Sequence, residues 1–576
     1  MIRHVICNPL VRLLPVITAL LCNGHAAAQA QAPWPLWRTP HLIFSTYLGG
    51  STPCASCDSA HTFAQNAASD PEGNTYVTGA TTVSDLPVLN AWQQIPAADS
   101  RTSAFVAKYD RFGNVLWCTY LGGNEQSVGT GVAVIPDGGV AVAGLTSSDE
   151  MGPFPTMHAF QEKNNGQSDY FVTVFDASGH IRYSTYLGGS GVEGTPGAVF
   201  ADDSNNGNNI AVDASGLVYV TGTTNSDGNG NGPIKFPVTP QAIQHDFGGP
   251  PDTTDAFLTI IDPGKSGRDS LVYSSFIGGD RDDKGHAVAV NTIGSLVTVG
   301  GYTRSYNFPT TANAYRSHSV PLPSDYQSNG FISQFESRMP RAPYARYTMR
   351  YSTYLGADVS GARDDAYAVA LDPRGLIVAT GRTQDADFPM NPHAPSIYNS
   401  APYLEPNVSN DQPYLVKINP WLTGEASLVY ATFLGGGSVG GGGSFCTSVA
   451  VDWEGRAYVG GETSSQGVEY RPSRQPVEAP YLFPFTEDAL LPAFQGGQFD
   501  AILMQISPDG ATLGYSTFLG GKESDRTYGL AVDPPGNVVQ TGLTSSSDFP
   551  LKNPAQTWPG NAGNQNAFVT KFSFHP

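Results

Sequence analysis

Two short segments carry the clearest coordination chemistry in the chain. Asp202-Asp-Ser-Asn-Asn-Gly207 and Asp227-Gly-Asn-Gly-Asn-Gly232 place oxygen side chains at alternating positions before a glycine. A calcium loop wraps a hard cation in this way, with Asp202, Ser204 and Asn206 as ligands in the first segment and Asp227, Asn229 and Asn231 in the second. The match is partial, because such a loop also wants a bidentate acid at its twelfth position. That position is Asp213 in one segment, where the following strand holds it away, and Val238 in the other. Ca2+ is therefore the one cofactor the residues suggest, although the same residue types also build ordinary polar loops.

Other reactive residues give weaker signals. Cys54-Ala-Ser-Cys57 suits a local disulfide, since a structural zinc site would need a second ligand pair at matching spacing. The histidines include no H-E-x-x-H pair. Gly436-Gly-Ser-Val-Gly440 fits the hydrolase pattern G-x-S-x-G, but it lies in a glycine tract with no helix after it. Asp282-Asp283, Asp364-Asp365 and Asp525 occupy corresponding connections, where acids can line the central opening, but as charged loop residues they are expected to be solvated. Asp70, Asp137, Asp213, Asp372, Asp452 and Asp533 each precede a glycine-bearing turn, where an aspartate caps backbone donors instead of doing chemistry. No catalytic set emerges, and the reading points away from an enzyme.

The elements that must position these residues repeat. Phe44-Ser-Thr-Tyr-Leu-Gly-Gly50 recurs at Trp117 to Gly123, Tyr183 to Gly189, Tyr273 to Gly279, Tyr351 to Ala357, Tyr430 to Gly436 and Tyr515 to Gly521. Each copy precedes a strand of the type Ile210-Ala-Val-Asp213 and a second of the type Tyr76-Val-Thr-Gly79. After a long connection comes a third strand of the type Ala104-Phe-Val-Ala-Lys-Tyr-Asp110. Such short runs, β-branched, aromatic and apolar on both faces, predict strands sandwiched between neighbouring sheets. The repeat thus specifies an all-β, seven-bladed β-propeller of four-stranded antiparallel blades. Because the chain opens on a fourth strand and closes on a third, the N-terminal strand must pair inside the last blade and close the ring.

These motifs, with Phe-Pro elements at Phe154, Phe236, Phe308, Phe388, Phe483 and Phe549, resemble the bacterial SBBP-repeat propeller family over about residues 43 to 573. The resemblance implies an exported or surface-associated propeller and brings no catalytic residues with it.

Residues 1–28 read as a signal peptide cleaved near 28–30, with Arg3 and Arg12 before an apolar run and small residues after it. Residues 29–42 form a linker and 43–576 the single propeller; no later run is apolar enough for a transmembrane segment. The formal charge is −20, and −20 − 2 = −22 without Arg3 and Arg12. That excess of acid argues against nucleic acid as a partner. The second-to-third connections of roughly 24 to 38 residues far exceed ordinary loops. They place a protein or glycan ligand at the long-loop face of a binding or scaffold module at the cell exterior. The competing readings are an exported glycan lyase or hydrolase, with acids from several blades, and a structural envelope protein.

Overall fold

The computed structural model describes residues 40–97, 101–194, 208–319, 327–340, 345–356, 363–384, 388, 411–436, 443–470, 482–558 and 564–574. Four-stranded antiparallel sheets follow one another around a ring of seven blades. Blade 1 consists of Thr62–Ser69, Thr75–Thr81, Ser103–Tyr109 and Val115–Leu121, from inner to outer strand. Blades 2 to 6 occupy 127–187, 210–277, 283–355, 364–433 and 444–519. Blade 7 comprises Asp525–Val532, Val538–Thr544 and Asn566–Ser573, and takes His41–Leu48 as its outer strand. The register sets Phe44 opposite Lys571 and Leu48 opposite Ala567. Closure is therefore made by the N-terminal strand, as the strand count requires.

Packing explains why the strands are apolar on both sides. Thr75–Thr81 and Ser103–Tyr109 are buried throughout, and one core cluster joins Tyr76 and Val106 of blade 1 to Val132 and Phe171 of blade 2. Each blade completes its neighbour's core, so none is stable alone.

The glycine near the end of the second strand has a specific cause in blades 1, 2 and 4 to 7, whereas in blade 3 Gly222 meets the Tyr170 ring. Inner strands carry a β-bulge three residues in, between Ala64 and Asn66 in blade 1 and between Cys446 and Ser448 in blade 6. The bulge pushes the Phe63 carbonyl against Gly79 and the Phe445 carbonyl against Gly461, where a Cβ would overlap the oxygen. In blade 4 the residue in this position is Gly301, facing the Lys284 carbonyl; its neighbour Gly300 faces the Val369 side chain. Gly79→Ala is expected to destabilise the protein by about 1–3 kcal/mol. A lowered urea midpoint with unchanged slope would register that loss.

Where they are described, the long second-to-third connections do not build up one face. They turn down the outer edge of their own blade, pairing Leu89 with Cys118, Met157 with Ser184, and Lys552 with Ser45. The Phe-Pro element anchors this path. Phe154 stacks on Phe171 with ring centroids 4.3 Å apart and donates its N–H to Tyr186 Oη at 2.8 Å. Phe308 repeats the arrangement with Phe331 at 4.5 Å and Tyr354 Oη at 3.0 Å. Further along, Gln161 Oε1 accepts the Gly188 N–H at 3.0 Å and Gln244 Oε1 that of Gly278 at 3.0 Å. An outer strand left bare would offer its backbone to other chains, and these connections cover it.

Candidate functional site

On the face formed by the first-to-second turns, the inner-strand aspartates close those turns. Asp70 accepts the Asn74 N–H at 2.7 Å, and Asp213 the Leu217 N–H at 3.1 Å. Asp452 accepts the Arg456 N–H at 2.9 Å and pairs with Arg456 Nε at 2.6 Å. Asp372 and Asp533 pair with buried lysines, Lys417 at 3.0 Å and Lys571 at 2.9 Å. Capping is what the sequence reading assigned them. Together the turns surround an axial cavity of about 1070 Å³, whose lining includes Glu72, Lys108, Pro136, Thr292, Trp453 and Pro534. Trp453 stands in this lining while 64% exposed.

The opposite face has a smaller cavity of about 290 Å³, lined by Phe63, Gln498, Glu523, Arg526, Tyr528 and Gln565. Arg526 lies 4.6 Å over the Phe499 ring and 3.5 Å from Glu462. Between blades 4 and 5, His286 stacks on Tyr367 and is almost fully buried, and burial lowers its pKa to about 4. Burial opposes the charge of Asp365, but Arg382 at 2.8 Å outweighs it and holds the carboxyl below the usual range. A carboxylate committed in this way stabilises the blade seam.

The expectation that Asp283, Asp364, Asp365 and Asp525 are solvated is overturned. Asp283, Asp364 and Asp525 open inner strands, Asp365 follows Asp364, and all four are 2% exposed or less. Only Asp282 of that set is half-buried, and it pairs with Arg304 at 2.9 Å. The acids that open third strands, Asp169, Asp255 and Asp500, escaped the sequence reading altogether. Their signal was present as an aspartate at the same strand position in three repeats, but it reads as a strand boundary until burial is known.

Of the calcium-type segments, Asp202, Ser204 and Asn206 lie outside the described residues. In the other, Asp227 Oδ1 accepts the Asn229 N–H at 2.9 Å, and Oδ2 accepts the Gly230 N–H at 3.3 Å. Partial burial opposes its charge, yet these donors hold the carboxyl below its ordinary value. Asn231 Nδ2 donates to the Asn225 carbonyl at 2.9 Å. Among the described residues no three His, Cys, Asp or Glu side chains converge. Cys54 and Cys57 form a disulfide with Cα atoms 5.0 Å apart. Cys118 and Cys446 are buried thiols, and burial raises Cys118 to about 12. Such thiols are inert.

Fold and blade seams together define a seven-bladed β-propeller. No family model matches the chain. A curated relative, the regulatory protein FlaEY of Caulobacter vibrioides, is 25% identical over 193 residues, 34% of this chain and 17% of that protein. The chain thus spans about a sixth of that relative's length. Among solved structures, puromycin hydrolase is similar over 83% of this chain and 50% of its own, at TM-score 0.34 and 9% identity. The Pan2 WD40 domain of Neurospora crassa matches 73% of this chain and 93% of its own, at TM-score 0.29 and 9% identity. Among the described residues no helix is long and apolar enough to cross a membrane.

Proposed function

We propose that the chain is an exported propeller of the SBBP-repeat kind that works as a binding or scaffold module for a glycan or protein ligand at the cell exterior. The axial cavity on the turn face supports this reading, because Trp453 offers an exposed aromatic platform beside it. The long connections are already used in covering blade edges, so their length no longer argues for the opposite face. We therefore place the ligand at the turn face. Similarity to a regulatory protein, over the stretch it covers, agrees with a role in recognition.

Screening the mature protein against a panel of immobilised polysaccharides tests the glycan form of the reading. For any polysaccharide retained, Trp453→Ala is expected to weaken binding by roughly 30-fold, the loss of one aromatic hot spot. Tyr528→Ala, in the cavity of the opposite face, is expected to leave it unchanged. The reverse pattern would move the site to the long-loop face.

A further inference from the structure

The ring contains one junction seven times over, and this chain fills it in two chemically different ways. At each, near the glycine that ends an outer strand, the first residue of a third strand approaches the residue opening the next blade's inner strand or, in blade 3, Glu193, which bridges to Thr224. Blades 1 and 2 place Ser103 and Ser127 there, blades 5 and 6 Gln412 and Ser444, and blades 7 and 1 Asn566 and Thr62. Blades 4 and 5 use Asn329 and Asp364. The remaining three junctions hold two acids each: Asp169 with Glu193, Asp255 with Asp283, and Asp500 with Asp525. All six are 0% exposed. Because uncharged pairs occupy the same position elsewhere in the ring, the fold itself does not require charge there.

The hydrogen bonding of the acid pairs follows one plan. One oxygen of each carboxyl group is well supplied with donors. Asp283 Oδ2 accepts Gly279 N–H at 2.7 Å and Ser305 Oγ at 2.8 Å, and Asp525 Oδ2 accepts Gly521 N–H at 2.8 Å and Ser546 Oγ at 2.8 Å. Glu193 Oε1 accepts Thr224 Oγ1 at 2.8 Å and also Ser226 Oγ. Asp169 Oδ2 accepts Asn165 N–H at 3.0 Å, and Asp255 Oδ2 accepts Gly248 N–H at 2.9 Å. Gln495 N–H serves Asp500 Oδ2. The other oxygen of all six, Glu193 Oε2 and five Oδ1 atoms, makes no hydrogen bond of good geometry, although the Thr303 and Thr544 hydroxyls favour the ionised forms of Asp283 and Asp525. At Gly188 the two bare oxygens, of Asp169 and Glu193, border the same small space, where that glycine lacks a Cβ.

No cation compensates them. Among the described residues none of the six acids has a salt-bridge partner within 4 Å. The titratable groups that face them are neutral or acidic: Tyr170 and Tyr186 around the first pair, Tyr354 around the second, Tyr47 and Asp548 around the third. In the Asp169–Glu193 junction two buried carboxylates with facing bare oxygens need a positive charge between them, and in the other two junctions the negative charge of one carboxylate opposes ionisation of the other.

We propose that each of these three junctions holds a proton between its two carboxyl groups, so that the seams of blades 2/3, 3/4 and 6/7 are locked in acid and loosened when both members ionise. The proton comes from solvent and returns to it, and no other group changes. Burial drives the pKa values in the required direction, to about 9 for Asp169, about 7 for Asp255, about 8 for Asp500 and about 6 for Asp525, with Glu193 and Asp283 also raised. Since each folded value lies above the unfolded one of about 4, the folded chain binds the extra protons. The stabilisation is fully present below the unfolded value and is lost as pH rises through about 6 to 9.

Thermal unfolding of the mature protein between pH 5.5 and pH 9, in chelator and in CaCl2, tests the lock. The melting temperature is expected to fall by roughly 5 °C or more over that range. Asp169→Asn, Asp255→Asn and Asp500→Asn, which copy amides this chain already uses at Asn329 and Asn566, are each expected to flatten part of the slope and to exceed the parent at pH 9. A flat parent profile, or variants that keep the full slope, would overturn the lock. A calcium-dependent rise at pH 9 that the same variants abolish would replace the shared proton with a bound cation. Should a variant fail to fold, infrared spectra of the parent decide: a protonated carboxyl band present at pH 7 and gone by pH 10 is expected, and its absence at pH 7 overturns the proposal.

Discussion

Deleting residues 41–48 is expected to unfold the whole propeller under conditions where the full chain is folded. The strand supplies the outer edge of blade 7 and buries Phe44, Tyr47 and Leu48 to 2% exposure or less. Ser45 Oγ lies 2.9 Å from Thr570 Oγ1, and Tyr47 Oη donates to the Ser546 carbonyl at 2.8 Å while accepting the Phe549 N–H at 3.2 Å. Phe44 also stacks with Tyr109 of blade 1, ring centroids 6.1 Å apart. At roughly 1.5–3 kcal/mol per large apolar side chain, three such residues are worth on the order of 5–9 kcal/mol. A domain's entire margin is about 5–15 kcal/mol. Circular dichroism melts of the deletion should therefore show a transition lowered far below the parent's, and a peptide of residues 40–50 added in trans should raise it again by β-strand addition. An unchanged transition would show that the ring does not depend on this strand.

Closure was legible because it is a matter of counting: an N-terminal fourth strand and a C-terminal third strand leave one blade short unless they pair. The blades were legible for a similar reason, since strands sandwiched on both faces must be apolar on both faces, and Val140 to Leu145 is apolar and buried at every residue. What sequence could not convey was the third dimension of polar residues. Asp283 and Asp70 look alike on paper, an acid beside a connection, yet one faces another carboxyl in a seam and the other caps a turn. The long connections misled for a related reason. Length suggested an elaborate face, whereas Tyr186 and Gln161 draw the chain back along its own blade. The side chains responsible recur with the repeat, as Tyr354 and Gln244 do, but their role appears only when a hydroxyl or amide is seen to meet a backbone N–H.

Asp533→Ala is expected to be strongly destabilising, because it strands a buried cation. Lys571 is 1% exposed and has two partners: Asp533 at 2.9 Å and the Gly73 carbonyl, to which it donates at 2.7 Å. Lys571 belongs to the third strand of blade 7 and Gly73 to the first turn of blade 1, so the contact crosses the seam that the N-terminal strand closes. Removing one member of a buried pair leaves the other desolvated without compensation, at a cost of about 3–5 kcal/mol. Asp533 also accepts the Asn537 N–H at 2.7 Å, so the turn loses its cap as well. Lys571→Met keeps the length of the side chain and removes the charge. The double variant is therefore expected to be more stable than Asp533→Ala alone, with a coupling energy of roughly 1–3 kcal/mol in a urea-denaturation cycle. Additive losses would mean that the two side chains act independently, and that the 7/1 seam is held by strand pairing without this ion pair.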